Sequence, residues 1–77
     1  MSDTCTELID ALIALRKERG LSQKKLSLAC GLTQSVIARI ESKKSVPTIA
    51  TLCKIVDALD ASLVVHKNIS RSEGTQE

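Results

Sequence analysis

The chain has 77 residues, which is enough for one small domain with a modest hydrophobic core. It contains no Phe, Trp or Tyr, so its core must be aliphatic, and this argues against the aromatic platforms on which single-stranded nucleic acids stack. The net charge of +2 hides a segregation, because nine Lys or Arg residues and only two Glu residues within 16–54 give that segment a local net charge of +7.

The first predicted helix begins near residue 7, after a polar N-terminal segment, 1–6, that we expect to be flexible. The apolar residues of this helix recur at helical spacing: Leu8, Ile9, Leu12, Ile13 and Leu15. The apolar stripe is wider than a small core needs. Either Ile9 or Ile13 contacts a partner, or both widen the buried face, and we favour the second interpretation. Gly20 is predicted to end the helix.

Two short helices joined by a tight corner are predicted over about 22–41. Ser22 and Thr33 are natural N-caps, and Gly31 can adopt the left-handed backbone of the corner. The second of these helices is predicted to bury Ile37 and Ile40 and to expose Gln34, Ser35, Ala38 and Arg39. Such a corner presents the second helix to the major groove of DNA. The +7 segment covers this corner, which favours a phosphate-binding surface over a merely solvated charged face.

A basic loop, 42–47, leads to a fourth helix that is predicted to follow Thr48 as its N-cap. The apolar face of this helix is predicted to contain Ile49, Leu52, Ile55, Val56 and Leu59. Residues 61–66 form either a short strand or a last helical turn. A strand would pair with the same segment of a second subunit, since the chain offers no other strand. The candidate dimerisation residues are therefore Leu63, Val64 and Val65. The composition of residues 67–77 is typical of a disordered tail.

The possible metal ligands include three cysteines, Cys5, Cys30 and Cys53, and one histidine, His66. Their spacing matches no common zinc pattern, so we expect neither a metal nor another cofactor. Cys30 and Cys53 are interpreted as small buried hydrophobes, and Cys5 as exposed. No nucleophile motif or phosphate-cradling glycine loop occurs, so we do not expect an enzyme. Without a signal sequence or a long apolar run, the chain is predicted to be cytoplasmic, with reduced thiols and no membrane partner.

A series of features follows in order along the chain: Leu15-Arg16, Gly20-Leu21-Ser22-Gln23, Leu26, Gly31-Leu32-Thr33-Gln34, Ile37, Ile40-Glu41, and Pro47 before Leu52, Ile55 and Leu59. Over about 8–65, this series resembles the Xre-type helix-turn-helix family, the group of the phage Cro and lambda repressors. The resemblance implies an all-α, lambda-repressor-like bundle of four to five short helices within 7–66, with a short C-terminal dimerisation strand as an option. It also implies a homodimer that binds a palindromic site on double-stranded DNA.

The same resemblance implies the roles of individual residues. Base contacts are expected from Gln34, Ser35, Val36 and Arg39. Phosphate contacts are expected from Gln23, Thr33, Lys43 and Lys44, together with backbone amides of the loop after the third helix. Arg16 and Glu41 match a structural salt bridge. The side-chain chemistry agrees independently, because a Gln amide can pair with adenine and an Arg guanidinium with guanine.

Two residues depart from the family pattern. Lys43 stands where relatives usually have glycine, and a left-handed lysine would be costly, so we expect the loop to differ there. Leu28 stands where relatives are commonly charged, and it is either an exposed apolar residue or a partner contact.

Two functions stay open at this point. The first is a sequence-specific transcriptional regulator, a dimeric autorepressor that can also be the antitoxin of a toxin–antitoxin operon. The second is a protein-interaction module, an antitoxin whose main task is to bind and neutralise a toxin. The C-terminal segment is similar to that of HipB-type antitoxins, which implies a HipA-like kinase as the toxin.

Overall fold

The computed structural model describes residues 3–65. Within this range the chain forms four helices, α1 (Asp3–Glu18), α2 (Gln23–Cys30), α3 (Gln34–Glu41) and α4 (Ile49–Ala58). The prediction of an all-α bundle is confirmed. Residues 61–65 form neither the predicted strand nor a helical turn, which is expected of a segment with no neighbouring strand to pair with. His66 and the predicted tail, 67–77, lie outside the described residues.

Helix α1 begins at Asp3, earlier than the predicted start near residue 7. Residues 3–6 contain neither glycine nor proline, so nothing in them stops a helix that the apolar stripe has already nucleated. At the other end, Gly20 adopts a left-handed backbone (φ 74°). The amide of Leu21 donates to the carbonyl of Arg16 at 3.1 Å, which closes the last turn of α1.

Hydroxyl side chains cap the other three helices at their N-termini. Ser22 Oγ accepts a hydrogen bond from the Lys25 amide at 3.1 Å. Thr33 Oγ1 accepts from the Val36 amide at 3.2 Å, and Thr48 Oγ1 likewise accepts at 3.2 Å from the amide three residues later. Each cap satisfies a donor that has no partner inside its helix and contributes about 1 kcal/mol.

The corner between α2 and α3 depends on Gly31, whose φ of 74° is left-handed. A Cβ atom there would meet nothing within 4 Å, so the backbone conformation and not crowding favours glycine. The Leu32 amide donates to the carbonyl of Ser27 at 3.0 Å across the corner. The corner thereby sets the direction in which α3 leaves α2.

The core is aliphatic and draws on all four helices. Its buried members are Ile9, Leu26, Ile37, Ile40, Leu52, Ile55 and Leu59. Ile9 is 2% exposed, and Ile13 is half-buried against this cluster, so both widen the core, as we favoured. The core contains a void of only about 10 Å³, which is too small for any ligand larger than a water molecule.

One prediction of burial on α4 is wrong, that of Cys53. Ile49, which was assigned to the apolar face of the helix, is 71% exposed at the first position of α4. Cys53 is also exposed because it follows Leu52 by about 100° around the helix, away from the buried face. On α2, Leu28 is exposed.

Candidate nucleic-acid interface

Helix α3 exposes one polar edge along its length. Ile37 and Ile40 are 1% and 2% exposed and fix the inner face of the helix in the core. The outer face carries four exposed side chains, those of Gln34, Ser35, Val36 and Arg39, while Ala38 is half-buried. The four predicted base-contacting residues are thus all accessible, with Gln34 and Val36 at the two sides of the exposed face.

An ion pair holds the C-terminal end of α3 against α1. The guanidinium of Arg16 donates to both carboxylate oxygens of Glu41, from Nε at 2.7 Å and from Nη2 at 3.0 Å. A third bond runs from Nη1 of Arg16 to the carbonyl of Leu21 at 2.7 Å. The salt bridge implied by the family resemblance is thus present, and its two-point geometry fixes orientation as well as distance.

Gln23, at the start of α2, joins this ion pair. Its Nε2 donates to Oε1 of Glu41 at 2.9 Å, and the residue is half-buried. An amide nitrogen carries two protons, so the hydrogen bond to Glu41 leaves one N–H with which Gln23 could donate to a phosphate. The ends of α1, α2 and α3 are therefore tied at one point.

The turn after α3 differs from what the sequence predicted. Lys43 does adopt the left-handed conformation (φ 64°), although we expected the loop to avoid it. The Lys43 and Lys44 amides donate to the carbonyls of Ile40 and Arg39, each at 3.0 Å. These two amides satisfy the last carbonyls of α3, and the predicted phosphate contacts of other backbone amides in the loop stay predictions.

The side chains around this turn have different surroundings. Lys43 Nζ forms an ion pair with Oδ1 of Asp10 on α1, which uses one of the three donors of its ammonium group. Lys44 is exposed. Thr33 is also exposed, and its hydroxyl oxygen serves as the N-cap of α3. The phosphate contacts assigned to these residues stay predictions.

Arg19 has a structural role that the sequence did not reveal. Its Nε donates to the carbonyl of Leu59 at 3.0 Å, and its Nη2 to the carbonyl of Asp60 at 3.4 Å. The guanidinium therefore caps the C-terminal end of α4, where exposed carbonyls concentrate negative charge. No sequence signal could show this, because the contact depends on how α1 and α4 pack. One of the nine cations of the +7 segment is therefore engaged within the protein.

A separate apolar patch surrounds a groove of about 400 Å³ between the beginnings of α1 and α4 and the segment 61–65. Its lining comprises Thr4, Leu8, Ile49, Leu52, Leu63, Val64 and Val65. Four of these side chains, those of Ile49, Leu63, Val64 and Val65, are exposed large hydrophobics. The three candidate dimerisation residues therefore lie together on an accessible surface, and their role in dimerisation stays a prediction.

Other kinds of site find no support within residues 3–65. No three His, Cys, Asp or Glu side chains of that range lie where they could hold a metal ion. Cys5 and Cys30 are half-buried. None of the four helices is both long and apolar enough to cross a lipid bilayer.

Comparisons with known proteins bear on this arrangement. The helix-turn-helix family model HTH_3 matches residues 12–65. Antitoxin HigA1 of Mycobacterium tuberculosis (strain H37Rv) is 39% identical over 62 residues, which are 80% of this chain and 42% of the antitoxin. An uncharacterised HTH-type transcriptional regulator of Haemophilus influenzae is 40% identical over 58 residues, 75% of this chain and 59% of that protein.

A solved structure shows the same likeness. An HTH_3 family transcriptional regulator from Vibrio cholerae superposes with a TM-score of 0.71 and 40% identity over 75% of this chain, which corresponds to 33% of that protein. The chain thus spans only 42% and 59% of the lengths of the two curated relatives.

Proposed function

The chain belongs to the Xre-type HTH_3 helix-turn-helix family, and we propose that it regulates transcription by binding a specific double-stranded DNA sequence through α3. The main observation in support of this proposal is the exposed polar edge of α3, a helix whose opposite face is anchored in the protein. Ile37 and Ile40 anchor the helix in the core, and Glu41 anchors its end through Arg16. An edge that is already fixed loses little conformational entropy on entering a groove.

The edge carries side chains suited to reading bases in the major groove. The amide of Gln34 can form two hydrogen bonds with adenine, and the guanidinium of Arg39 can form two with guanine. Five residues separate them by about 7.5 Å along the helix axis, so they reach different base pairs. Val36 offers an apolar contact for a thymine methyl group, and the hydroxyl of Ser35 can donate or accept.

Phosphate contacts would flank this edge and set its position on the duplex. Gln23 has one amide N–H beyond its bond to Glu41, Thr33 is exposed at the start of α3, and Lys44 is exposed just after its end. Such contacts supply affinity without sequence preference. A regulator with this chemistry acts where chromosomal DNA is accessible, which in this proposal is the cytoplasm.

A homodimer is the second part of the proposal. The patch around Leu63, Val64 and Val65 is apolar and exposed, and exposed apolar patches mark protein interaction sites. Two copies related by a two-fold axis would each present one α3, and such a pair would match a palindromic operator with half-sites about one helical turn apart. An operator near the chain's own gene would make it an autorepressor.

A role as an antitoxin is the second candidate function. It is supported by the 39% identity to an antitoxin, HigA1, and by an apolar groove formed by elements other than α3. A protein toxin could bind there. The more specific expectation, a HipB-type antitoxin with a HipA-like kinase as its toxin, stays a prediction.

Selection from a random pool of double-stranded DNA tests the proposed function. We expect enrichment of a palindromic sequence, with binding that weakens steeply as salt is raised because counterions are released from the phosphates. Co-purification from the native host tests the antitoxin role, since a stoichiometric partner protein is expected only in that case. A pool without enrichment after repeated rounds would contradict sequence-specific binding.

A further inference from the structure

We propose that Asp10 is an internal counter-ion that competes with DNA phosphate for Lys43 and so lowers the affinity of the chain for every DNA sequence. This inference rests on the proposed function and adds a residue on α1, outside the helix-turn-helix, to the control of DNA binding. It starts from the ion pair between Lys43 Nζ and Asp10 Oδ1.

The location of Lys43 makes its charge relevant to DNA. Lys43 is the second residue after the end of α3, and its amide donates to the carbonyl of Ile40 in the last turn of that helix. Its side chain is 32% exposed and that of Asp10 is 58% exposed. Solvent therefore reaches both charges, and the pair is open to exchange with another anion.

The backbone at Lys43 supports a role for its side chain. Four described residues outside the helices have left-handed backbone, namely Gly20, Gly31, Lys43 and Asp60. Glycine adopts this conformation without strain, and aspartate tolerates it better than most residues. Lysine has neither advantage. A glycine at position 43 would donate the same backbone hydrogen bond to Ile40. A strained residue that glycine could replace indicates that its side chain has a function.

The chemistry of the exchange is simple. A carboxylate oxygen and a phosphate oxygen are both anionic acceptors for an ammonium group. While the ion pair persists, the Asp10 carboxylate offsets the positive charge that Lys43 would present to a phosphate, and a phosphate that takes Lys43 must outcompete that carboxylate. Both effects are independent of base sequence, because phosphates carry no sequence information. Asp10 therefore acts on affinity and leaves specificity unchanged.

The test compares Asp10→Asn with wild type in fluorescence-anisotropy titrations, using a labelled duplex that carries the selected operator and a scrambled duplex of the same length. Exposed ion pairs are weak, so Asp10→Asn is expected to lower Kd by about two- to fivefold on both duplexes. The ratio of the two Kd values should not change. Asp57→Asn is the matched control, because it removes an exposed carboxylate from α4 and changes the net charge equally.

A second arm tests whether Asp10 acts through Lys43. In a Lys43→Gln background, Asp10→Asn should have less than half the effect, as a fold-change in Kd, that it has in wild type. The proposal is overturned if Asp10→Asn binds no tighter than wild type, if Asp57→Asn binds as tightly as Asp10→Asn, or if half or more of the effect remains in the Lys43→Gln background.

The two levels of inference can fail separately. Wild-type protein that selects an operator, together with an Asp10→Asn variant of unchanged affinity, refutes the counter-ion alone. Wild-type protein that binds neither duplex refutes both the counter-ion and the proposed function. Circular dichroism of each variant verifies that the helices are retained. If Asp10→Asn does not fold, Lys43→Gln removes the other partner of the ion pair, and its Kd values on the two duplexes are measured in the same way.

Discussion

Arg16 and Glu41 lie 25 positions apart and form a two-point ion pair that joins the last turn of α1 to the last residue of α3. Their side chains are only 10% and 12% exposed, so the pair is shielded from water. Every hydrogen-bonding atom of the buried side chains has a partner among the described residues. The pair therefore contributes to the angle at which α3 projects from the bundle.

Glu41→Gln is expected to destabilise the fold by about 2–4 kcal/mol, because it leaves the Arg16 guanidinium buried without a counter-charge. This range begins below the usual cost of about 3–5 kcal/mol for breaking a buried pair, since Arg16 keeps its bond to the Leu21 carbonyl. Urea denaturation followed by circular dichroism measures the loss. Glu18→Gln, at an exposed position of α1, is the control and should change stability by less than about 0.5 kcal/mol.

The double variant Arg16→Met with Glu41→Leu should recover part of that stability, because an apolar pair of similar volume buries no charge, while the Leu21 carbonyl and the Gln23 amide lose their partners. If Glu41→Gln were as stable as wild type, the ion pair would contribute nothing to the free energy of unfolding.

Gly31→Ala is expected to destabilise the fold by about 1–2 kcal/mol through the left-handed backbone alone. The site has space for the added methyl group, so no steric term is expected. The free energy of unfolding in urea measures this. Lys43→Gly removes the same strain and should change stability by less than about 1 kcal/mol in either direction, because it also loses the exposed ion pair. Equal destabilisation by both variants would show that backbone strain does not govern these turns.

Val64→Asp is expected to shift a homodimer toward monomer, because it places a charge in the apolar patch around the groove. Val64 is 67% exposed, so the fold of the subunit should be unaffected. Sedimentation velocity over a range of concentrations measures the shift. Val46→Asp is the matched control, since Val46 is 66% exposed in the loop before α4 and lies outside the patch. A chain that sediments as a monomer before any substitution would refute the proposed dimer.

The local features of this fold could be read from the sequence, because each depends on neighbouring residues. Ser22, Thr33 and Thr48 cap helices as predicted, Gly31 forms the corner, and the inward-facing positions of α3 follow from helical period. Capping and period are set within one or two turns of the chain. That is why the helix-turn-helix and its exposed edge were predictable.

The features that could not be predicted depend on how distant segments pack. Arg19 looked like part of a basic surface, yet it caps α4. The ion pair of Lys43 with Asp10 on α1 gave no signal in the sequence either. Ile49 fits the apolar period of α4 and is exposed all the same. Each outcome depends on which surface lies opposite the residue, and the period of a single helix carries no such information.

The most direct test of the central claim, that the exposed edge of α3 reads DNA bases, is the base preference of Arg39→Ala. Binding of wild type, Arg39→Ala and Lys44→Ala is measured across a set of operators in which each base pair is substituted in turn. Arg39→Ala should lose about 1–3 kcal/mol of discrimination at one position of each half-site. Lys44→Ala should weaken all operators about equally and reduce the magnitude of the salt slope by about 0.9. An Arg39→Ala preference profile that matches wild type at every position would contradict the claim.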